Sequence, residues 1–331
     1  MTPRYVFLAC AASVAASTAA VAHHSSAAYD LRKEVIVEGR IAKVQWANPH
    51  IYLTIETTGA DGEPAFQDVE VGPLAAVQTY GLRRDVVAQG SHVVVRANPG
   101  RSTRTMRGLD VTTDDGAIYR LTADGRSSRA PAAAVPAAGL AGKWTSTPAA
   151  FIELARTAPR WVLTEAGRAT PTLRASPSCD AFNPPPALGL VPGLREIEIG
   201  ETSVVIRYDT DWGEVVRTIR MDGAGHPTDL EPSPVGDSIG WWEGETLVID
   251  STGFAGPPDG VQGVLFGVRK HLVERLTLAE DRTHLRYEFT LEDPDYLAEP
   301  VSYSTLWDHR PDLEPSGVAC DPEIARRFQE E

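Results

Sequence analysis

Residues 203–221 read SVVIRYDTDWGEVVRTIRM, two runs in which apolar and polar side chains alternate around a short polar turn. Such alternation is typical of β-strands with one buried face, and the turn predicts an antiparallel hairpin. With the similar runs around this hairpin, the sequence has eight predicted strands: 195–200, 203–210, 214–222, 238–244, 245–252, 271–278, 283–293 and 300–310. Eight strands with mostly short connections predict an antiparallel meander closed into a β-barrel, with a β-sandwich as the alternative.

The N-terminal part carries a second all-β pattern. Three alternating runs, a short helix-like segment at 73–82 and two or three further strands follow one another between residues 34 and 121. This order predicts a small OB-like barrel at residues 23–123. The Pro- and Ala-rich residues 124–139 predict a linker, so that a lipocalin-like barrel domain follows at 140–331.

The N-terminus predicts export. Arg4 precedes an apolar stretch rich in Ala and Ser, and residues 20–22, Ala-Val-Ala, form an A-x-A cleavage site. We therefore expect residues 1–22 to be a signal peptide and the mature chain to be periplasmic or secreted, without membrane insertion. Cleavage leaves Cys179 and Cys320, and an even pair in an oxidising compartment predicts a disulfide.

The charge balance narrows the choice of partners. The chain has 31 Lys and Arg against 45 Asp and Glu, a formal net charge of −14. Nucleic acids are bound through a basic surface, so this balance argues against a nucleic-acid partner. Phosphate loops, dinucleotide fingerprints and nucleophile elbows are also missing from the sequence, and no required cofactor is predicted. The expected partner is a small molecule, and the oligomeric state is left open.

Two resemblances cover most of the chain. Residues 23–123, with HHSSAAYD, VEGRIAKVQWANPHIYLTIE and GAIYRL, resemble an exported bacterial family of unknown function that starts A-H-H-S and carries a W-x-N-P-H element. Residues 140–325 resemble uncharacterised exported bacterial proteins with a lipocalin-like barrel, through VRTIRMDGAGHPTDLEPSPVGDSIGWWEGETLVIDSTGF and HLVERLTL. The WLD element of the second family is missing here. Neither resemblance implies an established activity.

Adjacent histidines follow the predicted cleavage site. Cleavage before His23 gives this residue a free α-amine, which can chelate one metal ion together with its imidazole. His24, or His50 of the NPH element, can complete the site, and such a nitrogen donor set suits Cu(II). These residues predict a candidate copper-handling module. The alternatives are a solvated N-terminal arm and, for His50, the polar start of a strand.

The second barrel places charged side chains on apolar strand faces. Glu274 lies on the leucine face of HLVERLTL, and Arg217 lies on the apolar face of EVVRTIRM. A lone buried charge costs several kcal/mol, so the two should be paired or bound to something. Tyr208 shares the interior, with Trp242 and Trp307 as candidate aromatic walls. The set predicts an exported protein that binds a small, largely apolar ligand through Arg217 and Glu274.

Two alternatives use the same region. Glu274 can serve as the general acid or base of a cofactor-independent isomerase, cyclase or hydratase, assisted by His226 or Asp229 of the turn MDGAGHPTDLEP. The pair of Arg217 and Glu274 can instead fix strand register and perform no chemistry, and the turn can be an ordinary hydrogen-bonded loop. The sequence leaves the identity of the ligand open.

Overall fold

A computed structural model describes the chain between residues 28 and 330. Within this range the gaps are 102, 129–131, 147–152, 155, 158–159, 170–178, 180–184, 257–258 and 262–263. The predicted signal peptide, His23 and His24 lie outside the described residues, and so do parts of the predicted linker.

The N-terminal part forms a closed five-stranded barrel. Its strands close in the order β1-β2-β3-β5-β4, because β1 pairs with both β2 and β4 while β3 and β5 pair in parallel. Helix α1 lies between β3 and β4 in the chain, and the short β6 extends the sheet beside β5. The elements are β1 (Val35–Gln45), β2 (Tyr52–Thr58), β3 (Pro64–Glu70), α1 (Leu74–Thr79), β4 (His92–Asn98), β5 (Met106–Thr113) and β6 (Ile118–Arg120).

Period-two alternation fills this first barrel with aliphatic side chains. Ile55, Val69, Val95 and Val111 are fully buried, and the surrounding core is also made mostly of Val, Ile and Leu. Each strand therefore contributes alternate residues to one shared core. The predicted OB-like barrel is confirmed.

The C-terminal part forms a closed nine-stranded barrel in the order β10-β11-β12-β15-β16-β17-β7-β8-β9. All eight predicted strands are present. The ninth, β7, was missed because it is only five residues long, and it closes the barrel by pairing with β17 and β8. The strands are β7 (Gly142–Ser146), β8 (Leu194–Ile199), β9 (Ser203–Thr210), β10 (Gly213–Arg220), β11 (Asp237–Glu243), β12 (Thr246–Thr252), β15 (His271–Leu278), β16 (His284–Glu292) and β17 (Val301–His309). A separate hairpin, β13 (Asp259–Val261) and β14 (Val264–Phe266), lies between β12 and β15.

One seam departs from the predicted antiparallel meander. Strands β10 and β11 pair in parallel through only two residue pairs, whereas the other neighbours in the barrel are antiparallel. Residues 221–236 connect them, and this connection is long enough to return the chain to the same end of the sheet. The hairpin between β11 and β12 instead turns tightly at Gly244, whose φ of 63° favours glycine.

A short internal segment packs into the second barrel. Helix α3 (Ala187–Leu190) is completely buried, and the carbonyl of Gly189 accepts a hydrogen bond from Trp307 Nε1 at 3.0 Å. A Cβ at Gly189 would lie 2.4 Å from Cζ of Tyr287, so only glycine allows this close approach. We call residues 186–193 the plug. A second short helix, α2 (Glu165–Ala169), precedes it in the chain.

The end of the chain returns to the first barrel. The predicted disulfide Cys179–Cys320 is present, and residue 320 forms a bridge with Asn48 of the N-P-H element. Asn48 Nδ2 donates to the carbonyl of Val318 at 2.8 Å. Helix α4 (Pro322–Glu330) follows, and its Arg327 forms an ion pair with Asp68 of β3 at 2.7 Å. The N-P-H element thus lies at the junction of the two barrels.

Candidate functional site

The candidate site is a polar cluster inside the nine-stranded barrel. Arg217 on β10 and Glu274 on β15 have side chains that are 1% and 2% exposed, and Arg217 Nη2 donates to Glu274 Oε2 at 2.5 Å. Two serines add acceptors, because Arg217 Nε donates to Ser238 Oγ at 3.0 Å and Nη2 donates to Ser251 Oγ at 2.6 Å. Alternation along β10, β11, β12 and β15 directs these four side chains to one point.

Two tyrosines border the buried pair. The Tyr287 hydroxyl donates to Glu274 Oε1 at 2.8 Å, and the Tyr208 hydroxyl lies beside the Arg217 guanidinium. Burial raises the pKa of Tyr287 well above its ordinary value, and the neighbouring Glu274 raises it further. Burial also raises the pKa of Tyr208. Both phenols are therefore neutral hydrogen-bonding groups at neutral pH.

The Arg217 guanidinium is charged but incompletely bonded. Burial acts to lower its pKa, but the adjacent Glu274 outweighs burial and raises the pKa above the ordinary arginine value. Its Nη1 is buried without a hydrogen-bond partner among the described residues. Buried donors in proteins are almost always satisfied, so an unused terminal nitrogen inside a barrel is a chemically distinctive feature.

The surroundings of Glu274 bear on the acid–base alternative. Its Oε1 accepts from Tyr287 and its Oε2 accepts from Arg217. A general base needs a lone pair within hydrogen-bond reach of the substrate proton. The observed contacts instead fix the carboxylate as the counter-ion of Arg217. The catalytic role of Glu274 stays a prediction.

Sequence reasoning missed Arg195, a second arginine of the interior. It is 1% exposed, lies 4.8 Å above the ring of Trp307 and bonds neutral acceptors, namely plug carbonyls and a serine hydroxyl. Burial lowers its pKa to about 10, which still leaves it charged at neutral pH. The alternation LREIEI, which puts Arg195 on the same face as the core residue Ile197, could have revealed it.

The two tryptophans predicted to line the interior of the second barrel, Trp242 and Trp307, differ in their exposure to solvent. Trp307 is fully buried and stacks on Tyr287 with ring centroids 4.7 Å apart. Trp242 is 44% exposed near the end of β11, which stays paired with β12 up to Glu243. The prediction of Trp242 as an interior wall therefore needs correction.

The structure also separates His226 and Asp229 from Glu274. His226 contacts Asp237 at 2.6 Å and Asp250 at 3.3 Å, and these acids alternate with the inward-facing Ser238 and Ser251. His226 therefore lies on the outer wall of the barrel, and the sheet stands between it and Glu274. Asp229 is exposed in the loop. The predicted assistance of Glu274 by either residue needs correction, because it requires all three on the same side of the wall.

His271 joins His226 on the outer wall. Its Nε2 lies 2.9 Å from Asp250 Oδ1, the same oxygen that faces His226. Burial acts to raise the pKa of Asp237, but Arg220 and His226 outweigh it and lower the pKa below its ordinary value. Within the described residues, however, no three His, Cys, Asp or Glu side chains are arranged to hold a metal ion.

His50 lies at the junction of the barrels. Its Nδ1 contacts Glu70 Oε1 at 2.6 Å, and the other oxygen of Glu70 bonds the Tyr29 hydroxyl. A carboxylate on one ring nitrogen is typical of metal-binding histidines, and it is equally typical of structural ones. The other two predicted ligands, His23 and His24, lie outside the described residues, so the copper site stays a prediction.

Comparisons with known proteins bear on the first barrel alone. A family of unknown function, DUF6152, matches residues 11–109. No curated protein matches the chain. Among the described residues, none of the helices combines the length and apolar character required of a membrane span. The chain is thus similar to DUF6152 over its N-terminal part, in agreement with the resemblance of that part to a family of unknown function.

Proposed function

We propose that the C-terminal barrel binds a small, largely apolar molecule in its interior. The supporting observation is the polar cluster around Arg217 and Glu274, which is enclosed by apolar wall residues of the same barrel. Ligand sites combine an apolar lining with a few convergent polar groups, and this cluster has that composition. Barrels of about this strand number hold single small ligands in several protein classes.

The compartment is part of the proposal. The chain carries an N-terminal stretch with the features of a signal peptide, and its C-terminal part contains the Cys179–Cys320 disulfide. Disulfides persist in oxidising compartments. We infer a periplasmic or secreted binding protein, and purification from an exporting host should preserve its ligand.

The test is native mass spectrometry followed by titration with N-phenyl-1-naphthylamine, a neutral apolar fluorophore. Trp144 and Trp307 are fully buried in the second barrel and serve as energy donors to a probe bound nearby. We expect saturable binding of one probe per chain. Ser251→Leu adds volume to the inner wall and should weaken this binding by about tenfold or more, since overpacking competes with the ligand.

Ser302→Leu is the matched control. Ser302 is exposed on β17, so the same substitution on the outer wall should leave the probe affinity unchanged. Circular dichroism of both variants verifies that they fold. Absence of saturable binding, or equal binding by wild type and a folded Ser251→Leu, would overturn the proposal.

A further inference from the structure

The charges inside the second barrel do not balance. Among the described inward-facing strand positions, Arg195 and Arg217 are positive and Glu274 is negative, and each of the three side chains is at most 2% exposed. Tyr208 and Tyr287 are neutral because burial raises their pKa values. These positions therefore carry one positive charge in excess, in surroundings where an uncompensated charge is strongly unfavourable.

Arg195 does not offer this charge to a ligand. Its Nε and Nη2 donate to the carbonyl of Leu188, Nη2 also reaches that of Val191, and Nη1 donates to the carbonyl of Gly193 and to Ser146 Oγ. All three guanidinium nitrogens are thus engaged by the plug and by β7. The role of Arg195 is to hold the plug in the barrel.

Arg217 does offer a binding position. Its Nε and Nη2 are occupied by Ser238, Ser251 and Glu274, and the Tyr208 hydroxyl also interacts with the guanidinium, whereas Nη1 has no partner in full hydrogen-bond geometry among the described residues. A buried donor left unsatisfied is unfavourable, and more so when it is charged. A single negatively charged acceptor would both form the missing hydrogen bond to Nη1 and cancel the excess positive charge.

We propose that the ligand of the second barrel carries a carboxylate, which binds Nη1 of Arg217 beside the Tyr208 hydroxyl. The inference rests on the proposed function, since it names the chemical class of the molecule bound in the same interior. Carboxylate bonds to arginine are charge-assisted and about twice as strong as neutral ones. Tyr208 can donate a second hydrogen bond to the carboxylate, and the apolar wall residues then face the rest of the molecule.

The experiment compares dodecanoic acid with 1-dodecanol by displacement of N-phenyl-1-naphthylamine. The two probes share a chain and differ in the acid group. We expect the wild-type protein to bind the acid at least tenfold more tightly than the alcohol. In the double variant Arg217→Gln/Glu274→Gln this preference should disappear, so that acid and alcohol bind with equal affinity. Tyr208→Phe removes one donor and should reduce the preference by a smaller factor.

A second measurement uses only the wild-type protein and so does not depend on the folding of a variant. The carbon-13 signal of carboxyl-labelled dodecanoic acid reports ionisation of the bound acid. The Arg217 guanidinium favours the ionised form, whereas burial and the neighbouring Glu274 carboxylate oppose it. We expect the guanidinium to outweigh both, so the bound acid should titrate at a lower pH than the free acid. A bound acid that titrates as in water would overturn the inference.

The outcomes separate the two proposals. Saturable binding of the fluorophore together with equal affinity for acid and alcohol would overturn the assignment of a carboxylate ligand. The binding function would stay in place, and a buried water would be the partner of Nη1. A preference that persists in the double variant would also overturn the assignment to Arg217. Absence of binding by fluorophore, acid and alcohol alike would contradict the binding function itself.

Discussion

Both barrels contain buried ionic clusters, but they place them on opposite sides of the wall. In the five-stranded barrel, Asp110 of β5 accepts hydrogen bonds from Arg96 and Arg126, and the 61% exposed side chain of Arg126 brings the cluster to the surface. The neighbouring Val111 points into an aliphatic core. In the nine-stranded barrel, Arg217 and Glu274 are themselves part of the interior.

Strand number explains the difference. The diameter of a barrel grows with the number of its strands, so aliphatic side chains fill a five-stranded interior and fall short of the axis in a nine-stranded one. The larger barrel is completed by long polar side chains and by the plug, whose Gly189 lies against Tyr287. A polar interior thus accompanies the larger barrel, and under the proposed function the unused Nη1 of Arg217 is the group that binds the ligand.

The largest expected effect comes from breaking the interior pair. Glu274→Gln leaves Arg217 buried without a counter-ion and should lower the free energy of unfolding by about 3–5 kcal/mol. Asp110→Asn is the matched change in the first barrel. It should cost about 1 kcal/mol, because Arg126 is exposed to solvent and Arg96 keeps Glu34 as a second ionic partner. Urea unfolding followed by tryptophan fluorescence for the second barrel and by circular dichroism for the whole chain measures both.

The double variant Arg217→Met/Glu274→Leu sharpens this prediction. Replacement of both partners by apolar residues of similar volume removes the buried charges together and should recover most of the loss. If the single Glu274→Gln change costs no more than Asp110→Asn, the interior pair is not desolvated as described, and the contrast between the barrels fails.

A smaller effect is expected from the plug. Gly189→Ala places a methyl group against the Tyr287 ring, which is held by Glu274 and stacked on Trp307, and overpacking of this kind costs about 1–3 kcal/mol. Gly225→Ala is the control, since no atom lies within 4 Å of its added Cβ. Unfolding in urea and near-ultraviolet circular dichroism of Tyr287 and Trp307 report the change. Equal stability of the two variants would show that the plug is not a packed part of the barrel.

The sequence predicts the strands of both barrels better than the segment and the contacts that fill the interior of the second barrel. Alternation places Arg217 and Glu274 on inward faces, and the structure pairs them, because the period of a strand depends only on local geometry. The plug has no such period, and its position depends on contacts across the barrel, so neither Gly189 nor the role of Arg195 could be read from spacing.

In the turn that carries His226, nearness in sequence does not predict the contacts that form. His226 lies three residues before Asp229 in this turn, whereas the observed partners of His226 are Asp237 and Asp250. These acids come from β11 and β12, which approach the turn only after the barrel has closed. Proximity in sequence predicts a contact well within a regular helix, where residues three and four apart are neighbours, and poorly in a loop.

The smallest expected effect lies at the junction of the barrels. Burial raises the pKa of Asp211 to about 7, an effect that His50 of the first barrel opposes and Asp209 reinforces. Because its pKa is raised in the folded state, Asp211 contributes stability that is fully present below its ordinary value and is lost as the pH rises through about 7. The wild-type protein should therefore lose stability through this residue between pH 5 and pH 8.

Asp211→Asn tests this assignment, because the amide resembles the protonated acid and cannot ionise. One pKa unit corresponds to about 1.4 kcal/mol. Because Asp211 is partly exposed, solvent weakens this effect, and we expect the free energies of unfolding of variant and wild type to differ by about 1 kcal/mol. The variant should have a higher free energy of unfolding than the wild type, by a small margin at pH 5 and a larger one at pH 8, as measured by urea titration. A variant that is less stable at both pH values would mean that Asp211 is needed in its ionised form, as a partner of His50. The two barrels would then be joined by an ion pair, and the first barrel would place at this junction the kind of buried charge that its own interior excludes.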